Sequence, residues 1–223
     1  KEMVSIGENA GKRTVALITN MDIPLGHNIG NSLEVIEAVE TLKGNGPQDL
    51  TVVCMHLASN MLYLDRKRTL DECKSMGKKS ESAKREGTGA SGSYGESPGR
   101  DDAVIWDTQK FAKAPYSYEV CAKESGYITF MDTESCGIAS AMLGAGRETK
   151  DSGIDFAAGI IIHKKVGDYV EKGESLATMY ASREELFEAA AKRYLSAVTQ
   201  KSIRAEEEKL VYARVTKEQV EYF

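Results

Sequence analysis

Backbone carbonyls crowded in a tight loop, with a carboxylate facing them from the next helix, make a ligand set for a hard cation. Residues 21–30, MDIPLGHNIG, have the composition for such a loop, because Pro24, Gly26 and Gly30 mark tight backbone turns. Glu37 lies one to two turns into the helix that follows, at the edge of its apolar arc beside Leu33. By helical pattern alone, a solvated surface carboxylate is the more ordinary role for such a residue. Ligand and surface residue both stay open at this level.

Other chemical patterns are weaker. Gly7-Glu8-Asn9-Ala10-Gly11-Lys12-Arg13-Thr14 approximates a phosphate-binding glycine loop. It is one residue short, interposes Arg13 before Thr14, and precedes a strand instead of following one. Gly144-Ala145-Gly146 is an incomplete dinucleotide motif that runs into charged residues. His56 falls within a helix, His163 at a solvated strand end beside Lys164 and Lys165, and His27 in the glycine-rich loop. No Cys/His or Ser/His/Asp arrangement can be built from them. The closest pair among Cys54, Cys73, Cys121 and Cys136 is 15 residues apart, which excludes a CxxC pair and zinc spacing. Reduced thiols in a cytoplasm are the plain reading. Residue types and spacing alone give no catalytic set.

The elements that must position the loop follow from periodicity and breakers. Residues 1–11 read as the last turns of a helix with no cap at its start. Thr14–Asn20 reads as a short strand buried on both faces. Asn31 or Ser32 caps a helix to about Lys43, with Gly44 at its end. A second helix fits Gln48 to about Asp65. Thr69-Leu70-Asp71-Glu72 is a capping box that starts a third. Residues 77–100 hold six Gly and five Ser and no Val, Leu, Ile, Met or Phe. Such a stretch cannot bury enough apolar surface to offset its ordering entropy, so it reads as a mobile linker. Beyond it, Tyr116–Lys123 and Tyr127–Met131 read as a hairpin, followed by a helix at Glu134–Leu143 and a long strand at Gly153–His163. Turn dipeptides then flank Tyr169 and Val170, and Glu174–Ala181 reads as a strand. Ser182-Arg183-Glu184-Glu185 reads as a capping box opening a helix to about Val198. Leu210–Thr216 reads as the final strand.

The chain has 223 residues, 41% hydrophobic and 28% charged, with a net charge of −5. That is the balance of a globular protein. No basic stripe suggests nucleic acid as a partner. The longest apolar runs, such as Ile160–Ile162, fall far short of the ~20 residues that span a bilayer. No apolar signal segment opens the chain. The missing initiator Met and the uncapped first helix suggest a piece of something longer.

The run GKRTVALITNMDIPLGHNIGNSLEVIEAVETLKGNGPQDL resembles the pyrimidine-nucleoside phosphorylases, the thymidine phosphorylase family. The resemblance resumes in AKESGYITFMDTESCGIASAMLGAGR and GIDFAAGIIIHKKVGDYVEKGESLA, and covers 1–75 and 101–223. It is to the C-terminal half only. The family reaction is reversible phosphorolysis of a pyrimidine nucleoside to free base and pentose 1-phosphate, a pentosyl transfer of nucleotide salvage. The residues the family uses for phosphate and base belong to its N-terminal half, so this chain alone is expected to be inactive. As a full enzyme the resemblance implies a cytoplasmic homodimer.

The resemblance also implies a fold class and sites. The fold is α/β plus α+β: the remainder of the family's large α/β domain (1–75), an irregular linker (76–113), and a barrel-sandwich-like C-terminal α+β domain (114–223). A potassium ion is implied, with the carbonyls of Leu25 and Asn28 and the carboxylate of Glu37 as ligands from this half. Asn28 replaces a family Ala, which a backbone carbonyl tolerates. Met3 and Val4 correspond to apolar residues near the base pocket. At 97–101 the sequence Ser-Pro-Gly-Arg-Asp stands where the family has Ala-Gln-Gly-Gly-Asp, as a one-base frame shift would produce. The competing functions are a non-catalytic binding or assembly module, and a lipoyl/biotinyl-like domain. The second lacks the Met-Lys-Met or Asp-Lys context of a modified lysine.

Overall fold

Apolar spacing and breakers place the elements close to where the sequence puts them. The structure, a computed structural model, describes residues 1–65, 69–75, 107–147, 153–206 and 208–223. In chain order they are α1 (Glu2–Asn9), β1 (Ala16–Thr19), β2 (Asn28–Ile29), α2 (Asn31–Leu42), α3 (Gln48–Asp65), α4 (70–75), β3 (Tyr116–Cys121), β4 (Gly126–Met131), α5 (Thr133–Ser140), β5 (Gly159–Ile162), β6 (Tyr169–Val170), β7 (Ser175–Ala181), α6 (Phe187–Ala197), β8 (Val198–Lys201), β9 (Val211–Val215) and β10 (Val220–Tyr222). The expected linker at 77–100, its mobility and the frame-shift signature lie outside the described residues.

Contacts divide the chain into two interleaved units. The first gathers Lys1–Asn20, the described residues of 41–89, and Glu208–Phe223. Its sheet runs β1-β9-β10, and both pairings are antiparallel. Thr14–Asn20 was expected to be buried on both faces. Instead β1 lies at the sheet edge, and Ile18 is exposed. Val4, Val53, Cys73, Val211, Ala213 and Val215 are buried here. Arg214 is buried with them, and its Nε donates to Asn60 Oδ1 at 2.6 Å. Its guanidinium also lies over the Tyr63 ring, 4.8 Å from the centroid. The capping box at Thr69 forms, since Thr69 N–H donates to Glu72 Oε2 at 2.8 Å and Glu72 N–H donates back to Thr69 Oγ1.

The second unit gathers 21–40 with the described residues of 90–207. It has a four-stranded sheet, β2-β5-β7-β3, and a three-stranded sheet, β6-β4-β8. Both feed one core: Val120 of β3, Ile160 of β5 and Met179 of β7 join Ile128 and Met131 of β4. Helices α5 and α6 add Cys136, Ala139, Ala190 and Tyr194.

Here the sequence reading needs four corrections. The strands β3 and β4 do not form a hairpin: β3 pairs with β7, and β4 pairs with β6 and β8. Each thus covers the shared core from its own sheet. The strand expected at Gly153–His163 shrinks to β5, because the Asp155 carboxylate accepts the Ala157 N–H at 3.0 Å and turns the chain before Gly159. The capping box at Ser182 does not form; its hydroxyl donates to that same Asp155 carboxylate, and a 3-10 turn precedes α6. Helix α2 begins at Asn31 itself, with the Glu34 N–H donating to Gly30 O, so the residue before the helix is Gly30 and not Asn31 or Ser32. Asn31 Nδ2 donates to Ala145 O at 2.7 Å, while Glu34 Oε1 takes the Gly30 N–H. Strands β8 and β10 had no sequence signal strong enough to be read.

Burial raises the Tyr194 phenol above its usual range, with Cys136 adding to the effect, and burial pushes the Cys136 thiol up to about 12. The Tyr194 hydroxyl is buried with no hydrogen-bond partner among the described residues. Tyr194→Phe removes this unsatisfied group without changing the ring. It should leave the unfolding free energy from urea titration unchanged or raise it by up to about 1 kcal/mol. A loss of more than that amount would reveal a partner to the hydroxyl.

Candidate functional site

The loop 21–30 enters the edge of the four-stranded sheet through β2. The close fit of β2 on β5 requires glycine. A Cβ on Gly159 would lie 2.4 Å from the Ile29 carbonyl oxygen and 2.8 Å from Leu33 Cδ1. With that space free, Asn28 pairs with Ile161 and Ile29 with Ile160. Ser140 Oγ donates to Ile29 O at 2.9 Å, and Asn28 Nδ2 donates to Leu33 O at 2.9 Å. The loop end is therefore tied to β5, α5 and the first turn of α2.

Glu37 is the buried residue of α2, 9% exposed, which decides against the solvated surface role its pattern favoured. Its carboxylate turns onto the loop: Oε1 accepts the His27 N–H at 2.8 Å, and Oε2 lies 3.5 Å from the Asn28 nitrogen. Burying a charge is costly unless hydrogen bonds offset the lost hydration, and backbone N–H groups serve that purpose. Gly26 makes the approach possible. Its φ is +72°, and a Cβ there would lie 2.2 Å from Glu37 Oε2.

Carbonyl directions follow from the ladder. The His27 carbonyl accepts the Ile162 N–H at 2.7 Å, so it points into the sheet. In an antiparallel pair the next residue points its N–H and C=O the other way. Asn28 therefore directs its carbonyl away from β5, on the side where its N–H meets Glu37. Two more groups close on the loop. His27 Nδ1 lies 2.9 Å from Ile162 O, and Lys165 Nζ donates to Gly26 O at 2.8 Å.

The residues fit a monovalent hard cation in kind. A carboxylate has lone pairs beyond those used by two N–H groups, and the missing Cβ of Gly26 is what lets Oε2 come up against the loop backbone. The structure brings Asn28 and Glu37 together and places Leu25, exposed, in the same loop. Met3 and Val4 belong to the first unit, where Met3 is exposed and Val4 buried. The sequence pattern marks Lys165 only as a charge beside a strand end. Its contact joins residues 139 positions apart, which no local pattern encodes. Among the described residues no cluster of three or more His, Cys, Asp or Glu could hold a metal, so any cation here would rely on carbonyls. No helix of the described residues is long and apolar enough to cross a membrane.

The second unit is thus a mixed α/β assembly whose edge carries a carboxylate-backed loop. Residues 127–201 match the pyrimidine nucleoside phosphorylase C-terminal domain, and this part of the chain belongs to that domain family. Over 197 residues the chain is 43% identical to the pyrimidine-nucleoside phosphorylase of Geobacillus stearothermophilus, covering 87% of this chain and 45% of that protein. It is 44% identical to that of Bacillus subtilis over the same length and shares. With the Staphylococcus epidermidis enzyme the figures are 42% over 192 residues, 82% and 42%. The chain spans less than half the length of these curated relatives.

Gly26→Ala tests the cradle. The added methyl meets a carboxylate oxygen in a left-handed backbone conformation, at a cost of about 1–3 kcal/mol. The urea midpoint should fall accordingly, and the His27 amide should lose protection from exchange. Parental stability and protection together would mean that Glu37 does not rest against Gly26.

Proposed function

We propose that this chain supplies scaffold and part of a potassium site to an enzyme of pyrimidine nucleoside phosphorolysis, which yields free base and pentose 1-phosphate. One observation carries the reading: Glu37 is buried against the backbone of the loop that holds Leu25 and Asn28, instead of facing solvent. The similarity to the relatives supports the reaction class. The potassium ligands from this chain are the Leu25 and Asn28 carbonyls and the Glu37 carboxylate. A bound potassium ion would supply fixed positive charge that helps hold the anionic phosphate, whose own negative charge stabilises a developing cationic sugar.

The chain's own contribution is orientation. The β2–β5 ladder fixes which carbonyls face Glu37, and α2 holds that carboxylate at its station. Within this proposal 114–223 is the family's C-terminal domain with a barrel-sandwich-like core, joined through 76–113 to the 1–75 part of the large α/β domain. Met3 and Val4 lie toward the base pocket of the assembled enzyme, a cytoplasmic homodimer acting on a pyrimidine nucleoside and phosphate.

The sequence holds no Lys-Ser/His-Ser-Thr-Gly-Gly phosphate loop. The isolated chain should therefore release no uracil or thymine from nucleosides above a no-enzyme control. Release by a preparation free of host phosphorylase would refute this division of labour.

Joined to the N-terminal part of the Bacillus subtilis relative, the chain should support phosphorolysis that depends on potassium. In that enzyme Glu37→Gln keeps the shape and removes the charge, so half-maximal activity should need severalfold more potassium. Glu184→Gln, on the 3-10 turn before α6, should behave as the parent. Equal potassium dependence in all three proteins would return Glu37 to a structural role.

A further inference from the structure

The peptide group between Gly26 and His27 is held at both ends by charge. Its carbonyl oxygen, on Gly26, accepts from the Lys165 ammonium at 2.8 Å. Its N–H, on His27, donates to the Glu37 carboxylate at 2.8 Å. In a planar trans peptide the C=O and N–H point in opposite directions. A cation and an anion therefore grip one plane from opposite sides, each through a charge-assisted hydrogen bond. The peptide dipole lies between them in its favourable sense. Such a chain of bonds is stronger than either bond alone in a partly buried setting.

The grip matters because this plane follows a glycine. Gly26 sits at φ +72°, and glycine populates left- and right-handed regions with similar ease. Rotation of the 26–27 plane is sterically cheap at such a position. A flip would turn the Gly26 carbonyl toward Glu37 and the His27 N–H away from it. The next plane is already fixed, since the His27 carbonyl accepts from Ile162 N–H. Plane 26–27 is thus where the loop has freedom, and Lys165 takes hold of it from the connection between β5 and β6.

We propose that Lys165 is a positioning residue for the cation loop: by holding the Gly26 carbonyl it locks the 26–27 peptide so that the His27 N–H engages Glu37 and keeps that carboxylate in place beside the loop. This rests on the potassium reading of Leu25, Asn28 and Glu37. Partners that orient a metal's ligands change affinity or activity roughly 10–100-fold when removed. Two effects of losing Lys165 oppose each other. Loosening the Glu37 carboxylate raises the potassium requirement, and removing a nearby positive charge lowers it. The positioning role predicts that the first prevails.

The test has two arms. In this chain, without potassium, amide exchange at His27 is followed by NMR. Lys165→Met should speed it at least about tenfold, the size expected for loss of a hydrogen bond to a charged group, and Lys165→Arg should restore the parental rate. Lys164→Met should change nothing there, because Lys164 pairs with Glu174 at 2.6 Å instead. If Lys165→Met does not fold, Lys165→Gln, which keeps a neutral donor, takes its place and should show an intermediate rate. In the joined enzyme the same substitution should raise the potassium needed for half-maximal activity about tenfold, with rescue by Lys165→Arg. Parental exchange at His27 overturns the proposal, as does a potassium requirement that is unchanged or lowered while Glu37→Gln still raises it. If Glu37→Gln also leaves the requirement unchanged, the potassium reading fails with it, while a faster His27 exchange would still show the clamp itself.

Discussion

A buried carboxylate must be given hydrogen-bond donors, and the geometry around loop 21–30 follows from that requirement. Glu37 finds its donor in the His27 N–H at 2.8 Å. Backbone N–H groups converge on one side chain only if the chain turns tightly, and here Gly26 in the left-handed region makes the turn. Any residue with a Cβ at that position would occupy the space of the carboxylate oxygen. Helix α2 must begin close to the loop for Glu37 to reach it. The contacts of Asn31, Ser32 and Asn28 around the helix start secure that placement.

The sheet behind the loop gives this arrangement its direction. A strand of two residues has little stability of its own. Here β2 is held because Gly30 and Gly159 let two backbones approach closely and because Ser140 caps the Ile29 carbonyl. Strand β5 is in turn fixed by the core, where Ile160 and Ile162 are buried against β7 and the helices. The domain matched at 127–201 thus supplies the surface on which a loop more than a hundred residues earlier is set. A cation site assembled in this way takes its carbonyl directions from ladder register and its charge from one helix residue.

The sequence by itself determined much of the local structure. Helices α1, α2 and α3 and strands β3, β4 and β7 fall near where apolar spacing, breakers and turn dipeptides put them, because those signals act over a few residues. The capping box at Thr69 is likewise a short-range device, and it forms. The family resemblance was legible because several motifs recur together along the chain. Tertiary structure alone decided which strands pair. Strands β3 and β4, adjacent in sequence, went to different sheets because each could bury its apolar residues in one core only from opposite sides. The second capping box yielded to Asp155, a partner 27 residues away. The sign of Glu37 was also beyond the sequence. Its helical position marks an edge, and an edge residue is buried or solvated according to what lies opposite. Here that is a loop whose peptide planes are held by the Ile162 N–H on the His27 carbonyl and by Lys165 on the Gly26 carbonyl, both contacts spanning well over a hundred residues.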